Sequence, residues 1–126
     1  MDYQSITPNI GVKNVNETVD FYTEILGFQL LMSVPDEGEF VWAMVAAGHL
    51  FMMFQEEANL KEEYSELANT GKGCLTFYVK IKGMKELYEK VKDTDMLVKK
   101  LGKTPYGVEE FAIRDNNGYI LTIAEA

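Results

Sequence analysis

The feature that most constrains this chain is that one order of hydrophobic patterns occurs twice. From residue 6 to 12 the sequence reads as a short strand. Asn14 then stands three residues before Glu17, the spacing of a helix N-cap and its reciprocal acid. Val15, Val19, Tyr22 and Leu26 recur at helical spacing, and Gly27 sits where a left-handed C-terminal cap is expected. Three β-like runs follow at 28–34, 40–46 and 49–55, separated by a turn at 35–39 and by Ala47-Gly48. After Gly73 the succession returns. A strand is expected at 74–81, then a helix with Met84, Leu87, Tyr88 and Val91 on one face, then strands at 96–101, 108–114 and 119–124. The last two flank Asp115-Asn116-Asn117-Gly118, a strong hairpin turn. Phe21-Tyr22 with Ile25 matches Leu87-Tyr88 with Val91 at an offset of 66, and Gly48 matches Gly118 at an offset of 70. The expected fold class is α+β, two tandem βαβββ modules.

The segment joining the halves differs in character. Residues 56–72 hold Glu56, Glu57, Glu62, Glu63 and Glu66, with only Leu60, Tyr64 and Leu67 apolar. Positions 60, 64 and 67 share a helical face, so an acidic linker with a short surface helix is expected. A chain of 126 residues, 47% hydrophobic and 25% charged, can bury one core, and residues 1–126 are read as one domain with halves at about 6–55 and 73–125.

The formal charge of -8 disfavours nucleic acid and anionic lipid as partners. A single cysteine, Cys74, excludes an intramolecular disulfide and fits a reducing compartment; its plainest reading is a small buried hydrophobe. Residues 1–5 have neither a basic region nor an apolar run, and no stretch approaches the roughly 18 consecutive apolar residues of a membrane span. A cytoplasmic location without membrane attachment is the expectation.

The opening Ile6-Thr7-Pro8-Asn9-Ile10, the helix end Phe21-Tyr22 through Leu26-Gly27-Phe28, and the close from Phe111 to Tyr119 around Arg114-Asp115-Asn116-Asn117-Gly118 resemble the vicinal-oxygen-chelate superfamily of glyoxalases, bleomycin-resistance proteins and extradiol dioxygenases. The resemblance covers nearly the whole chain. It implies that each half contributes four strands to a curved sheet around a cup, with helices outside, and that the chain works as a homodimer. Metal-dependent members place four ligands, typically His, Gln or Glu, on the first and last strands of the two halves. Those positions fall on Thr7, on Met52 or Met53, on Cys74 and on Thr122, and none is His, Asp or Glu. One thiol with two hydroxyls and a thioether is a poor donor set for Zn, Ni, Mn or Fe(II), so neither metal nor other cofactor is expected. The only histidine, His49, follows Gly48 at a turn, and a half-exposed strand-end residue is its plainer reading.

Strand side chains alternate faces, so one anchored position orients its whole strand. With the ligand-equivalent positions facing the cup, its lining would be Thr7, Asn9, Cys74, Thr76, Tyr78, Ile120 and Thr122. Carrying the register through the Gly48 and Gly118 turns adds Phe40, Trp42, Met44, Leu50, Met52, Phe54, Glu110 and Ala112. The helices would meet Ile10, Val12, Leu75, Phe77, Val79, Leu121 and Ile123. An aromatic, methionine-rich lining with one carboxylate suits an apolar or aromatic, cation-bearing ligand, although Trp, Phe and Met on strands also make plain core. The function expected is therefore metal-independent binding or sequestration of a small molecule. The alternatives are a glyoxalase-like lyase or isomerase with a divergent metal site, and an interaction module without a ligand. No catalytic residue is assigned.

Overall fold

The computed structural model describes residues 1–69, 75–105 and 107–126. Two compact units divide at Gly71 and Lys72. In the first, β1 (Asn9–Val12), α1 (Val15–Glu24), β2 (Gln29–Val34), β3 (Trp42–Ala47) and β4 (Leu50–Glu56) form a four-stranded sheet in the order β1-β4-β3-β2, followed by α2 (Glu57–Glu63) and a 3-10 turn, Ser65–Asn69. In the second, β5 (Thr76–Ile81), α3 (Met84–Val91), β6 (Leu97–Lys103), β7 (Glu109–Arg114) and β8 (Ile120–Glu125) repeat the plan in the order β5-β8-β7-β6. Each sheet pairs its first and last strands in parallel and the others antiparallel. The fold is α+β with two tandem βαβββ modules, as the repeated pattern implied.

The strands are shorter at their starts than the sequence suggested. β1 begins at Asn9, not at residue 6: register pairing with β4 starts with Asn9 opposite Met53, and the chain before it makes only the bond from the Met53 N–H to the Pro8 carbonyl at 2.9 Å among its described backbone contacts with β4. α1 starts where the cap predicts: Asn14 Oδ1 accepts from the Glu17 backbone N–H at 2.9 Å. The linker helix ends at Glu63, so Tyr64 and Leu67 do not share its face with Leu60.

One side of the first sheet meets α1. Ile10, Val12, Ala43, Val45 and Phe54 are buried there with Val15, Val19 and Tyr22, and the Tyr22 and Phe54 rings lie 4.8 Å apart. In the second unit Phe111, Ile113, Leu121 and Ile123 are buried with Met84 and Val91, and Tyr88 of α3 packs on Phe111 at 5.1 Å. Leu75, expected against a helix, is instead half exposed, lying just ahead of β5 where no strand partner fixes it.

α3 starts with Gly83 in the left-handed region and no side-chain cap of its own. The Glu125 carboxylate closes this end by accepting from the backbone N–H groups of Gly83 at 3.0 Å and Met84 at 3.1 Å. Those hydrogen bonds lower the Glu125 pKa. A depressed carboxylate adds stability above its unfolded-state pKa and loses it as pH falls through the folded value. Glu125→Gln should therefore be less stable than the native chain at neutral pH, with the gap narrowing as the pH falls from the unfolded-state pKa towards the lower native one. Urea midpoints at pH 7 and pH 3 check this, and a gap that does not narrow would contradict it.

Candidate functional site

The side of the first sheet away from α1 follows from strand register. Directly paired residues share a face, so Trp42 stands with Gln55, Met44 with Met53, and Ala46 with Phe51 on β3 and β4. Asn9 and Gly11 of β1 join them opposite Met53 and Gln55, and Met32 and Val34 of β2 join them opposite Met44 and Trp42. Trp42, Met44 and Met53 are half-buried, while Met32 and Val34 are exposed.

The same face carries an amide network. Asn9 Nδ2 donates to Gln55 Oε1 at 2.9 Å, and Gln55 Nε2 donates to Asn59 Oδ1 at 2.7 Å and Glu63 Oε2 at 3.4 Å. These last two partners belong to α2, which lies over this end of the face. Leu60 Cδ2 and Glu57 Cγ sit 3.3 and 3.5 Å from where a side chain at Gly11 would begin, so a Cβ there would press on the helix. Gln55 is only 7% exposed, with both ends of its amide engaged.

In the second unit the side away from α3 holds Thr76, Tyr78 and Lys80 of β5, Ile120, Thr122 and Ala124 of β8, and Glu110, Ala112 and Arg114 of β7. Glu110 is 6% exposed. Its Oε2 accepts from the Tyr78 hydroxyl at 3.3 Å, and Lys99 Nζ of the neighbouring β6 reaches its Oε1 at 3.7 Å. Glu109 points the other way and pairs with Lys85 of α3 at 3.7 Å. The ion pairs of this acidic dipeptide thus run to lysines and not to Arg114.

Of the residues expected to line the cup, Asn9, Trp42 and Met44 share one face of the first sheet, and Thr76, Tyr78, Glu110, Ala112, Ile120 and Thr122 share one face of the second. Three expected residues of the first sheet are not on the face that holds Asn9. Met52 and Phe54 pair with Val45 and Ala43 and share the α1 side, where Phe54 is fully buried; Leu50 follows the same alternation. The cause is hairpin length. Ala47 pairs with Leu50 across a two-residue turn, Gly48-His49, whereas Arg114 pairs with Ile120 across five residues. Aligning Gly48 with Gly118 therefore shifts β4 by an odd number of residues, and an odd shift exchanges the faces. Phe40 precedes β3, in a loop where its N–H donates to Asn16 Oδ1 of α1 at 2.8 Å. Thr7 lies ahead of β1, half-buried, and Cys74 lies outside the described residues. His49 is an exposed turn residue.

Gln55 is the residue that sequence reasoning missed. Asn9 pairs with Met53 as Thr76 pairs with Ile120, so stepping two residues along each pair sets Gln55 in β4 at the place of Thr122 in β8. Counting back from the parallel partner, and not forward from the turn glycine, would have found it.

A family model described as Glyoxalase/Bleomycin resistance protein/Dioxygenase superfamily matches residues 5–123. The chain belongs to this superfamily. Among solved structures similar to this superfamily member, TioX from Micromonospora sp. ML1 superposes with a TM-score of 0.80 at 19% identity, covering 98% of each chain. A glyoxalase-related enzyme from Fulvimarina pelagi superposes at 0.78 and 16% identity, covering 98% of this chain and 89% of that one. A bleomycin-binding protein, solved in complex with bleomycin, superposes at 0.64 and 18% identity, covering 98% and 99%. At these identities the likeness is one of fold. No curated protein matches the chain.

The corrected register also bears on the superfamily's metal positions. They fall on Thr7, Gln55, Cys74 and Thr122, of which Gln55 is a residue type that the superfamily uses as a ligand. Its carbonyl oxygen, the one atom that could coordinate, already accepts from Asn9. One thiol, two hydroxyls and an engaged amide supply a single one of the carboxylate, imidazole or thiolate donors that a divalent cation prefers, which is a poor set. Among the described residues no three His, Cys, Asp or Glu groups come together as a metal site. Likewise, no described helix is long and apolar enough to cross a membrane.

Proposed function

We propose that this superfamily member binds or sequesters a small aromatic, cation-bearing molecule without a metal, each unit offering for it the sheet face turned away from its own helix, α1 or α3. The observation that carries this reading is Glu110. A carboxylate 6% exposed on a sheet face, among Tyr78, Ala112 and Thr122, has for its cationic partner among the described residues the long, exposed Lys99 side chain at 3.7 Å. An ammonium so weakly held is easily displaced, and a ligand cation takes its place. On the first unit, Trp42 with Met44 and Met53 offers aromatic and polarisable area for a flat ligand. The charge of the first unit agrees with a cation. Residues 1–71 carry twelve acidic and two basic side chains, against eight and ten in residues 72–126.

The test is calorimetric titration with 9-aminoacridine, a flat cation at neutral pH. The native chain should bind it saturably. Glu110→Gln keeps the shape and removes the charge, which should weaken binding about tenfold, since a contact to a charged group is worth roughly 1.5–3 kcal/mol. Glu109→Gln, on the opposite side, should change little. Equal losses in the two variants would reduce the effect to general acidity. Elemental analysis of the purified protein should find no stoichiometric transition metal; about one equivalent per chain would favour a lyase or isomerase instead.

We also propose a homodimer with this activity in the cytoplasm. Strand β2 is a sheet edge without a single charge, and Leu30, Leu31, Met32 and Val34 along it are all more than 40% exposed. The corresponding edge β6 carries Lys99, Lys100 and Lys103, the usual protection of an unpaired strand. A second copy covering β2 accounts for the difference. Light scattering at micromolar concentration should give twice 14.3 kDa, and Leu31→Lys should lower it to the monomer; a native monomer would refute the dimer.

A further inference from the structure

The amide network beside Trp42 has a direction, and that direction determines what the binding face asks of its ligand. A primary amide can present either its oxygen or its NH2 group at a given place, so a chain of amides alone has two self-consistent arrangements. Here one end of the chain is a carboxylate. Glu63 Oε2, 3.4 Å from Gln55 Nε2, can only accept when ionised, so the NH2 end of Gln55 must face α2. Asn59 Oδ1 accepts from the same NH2 group at 2.7 Å. The Gln55 oxygen is then turned towards β1, and Asn9 must offer it a donor, which it does through Nδ2 at 2.9 Å. What is left of the Asn9 amide is its oxygen and the second N–H of Nδ2, and of these only the oxygen can accept from a cationic N–H donor. Asn9 is exposed on the same face as Trp42, Met44 and Met53, and its Oδ1 has no partner among the described residues.

We infer that Asn9 is a specificity-determining contact of the ligand face, presenting Oδ1 as a hydrogen-bond acceptor on the same face as the Trp42 indole, and that Glu63 and Gln55 are positioning residues that fix this polarity. The ligand class follows. It is an aromatic cation whose charge is carried on N–H groups, such as a protonated aminoheterocycle or amidine, in preference to a quaternary cation of the same shape. The inference rests on the proposed binding of aromatic cations and adds the demand for a donor. The acidic first unit attracts either kind of cation, so charge alone does not select between them. The fixed acceptor does.

Two probes separate charge from hydrogen bonding: protonated 9-aminoacridine, with N–H donors, and 10-methylacridinium, with the same ring and charge and none. Calorimetric titration of the native full-length chain should show about a tenfold preference for the first, the size expected of one well-placed bond to a cationic donor. Asn9→Ala should erase the preference while both probes still bind. Glu63→Gln frees the network to reverse and should cut the preference to about twofold, and Glu63→Asp, which keeps an acceptor-only group, should restore part of it. A merely structural role for Glu63 would weaken both probes together and leave their ratio unchanged. Equal affinity of the native chain for the two probes overturns the inference and leaves the binding function standing. Failure of the native chain to bind either overturns both. Asn9 and Glu63 are themselves exposed, and the native comparison between the two probes depends on no variant.

Discussion

Replacing Phe54 by alanine should destabilise the chain by about 3–5 kcal/mol, whereas the same replacement at Met53 should cost no more than about 1 kcal/mol. The two are neighbours on β4, and the whole difference lies in which side of the sheet each faces. Phe54 is completely buried, pairs with Ala43 and packs on Tyr22 at 4.8 Å, so its removal leaves a cavity between sheet and α1 that rigid strands cannot close. Met53 pairs with Met44 on the other side and is only half-buried. Urea unfolding of the two variants measures the contrast directly. If β4 were offset by one residue the costs would be exchanged, so this pair of variants also checks the register on which Gln55, Trp42 and Asn9 share a face.

Trp42→Ala should lower the affinity for 9-aminoacridine about thirtyfold, corresponding to the roughly 2 kcal/mol of a dominant aromatic contact. The indole stands directly across from Gln55 and offers the largest flat area on the first unit's ligand face, next to Met44 two residues along. Being half-buried on the side away from α1, it contributes less to the core than Phe54 does, so the variant should stay folded. Calorimetry reads the loss without needing the tryptophan as reporter. The native chain's Trp42 fluorescence should shift in proportion to occupancy. A variant that binds as tightly as the native protein would remove Trp42 from the face that holds the ligand and direct attention to Glu110 alone.

Asn16 shows how tertiary contacts act on stretches with little pattern of their own. Its side chain, on α1, donates to the Gly38 carbonyl at 2.8 Å and accepts from the Phe40 N–H at 2.8 Å. These two bonds tie residues 38–40 to the helix, which is why Phe40 does not extend β3 as its apolar character suggested. Nothing in local periodicity distinguishes such an asparagine from any other on a helix.

The order of elements was legible in the sequence, because period and punctuation are local properties: the Asn14 cap, the Asp115–Gly118 turn and the two runs of βαβββ pattern each depend on residues a few positions apart. So was the sidedness of β5, β7 and β8, where Tyr78, Glu110 and Thr122 share a face as alternation requires. The sidedness of β4 came from strand pairing. That depends on whether two residues or five span a hairpin, and alternation amplifies an error of one residue into an exchange of faces. For the same reason only the structure joined Asn9, Gln55 and Glu63, which come from β1, β4 and α2 and meet through a parallel strand pairing that leaves no periodic trace in the chain.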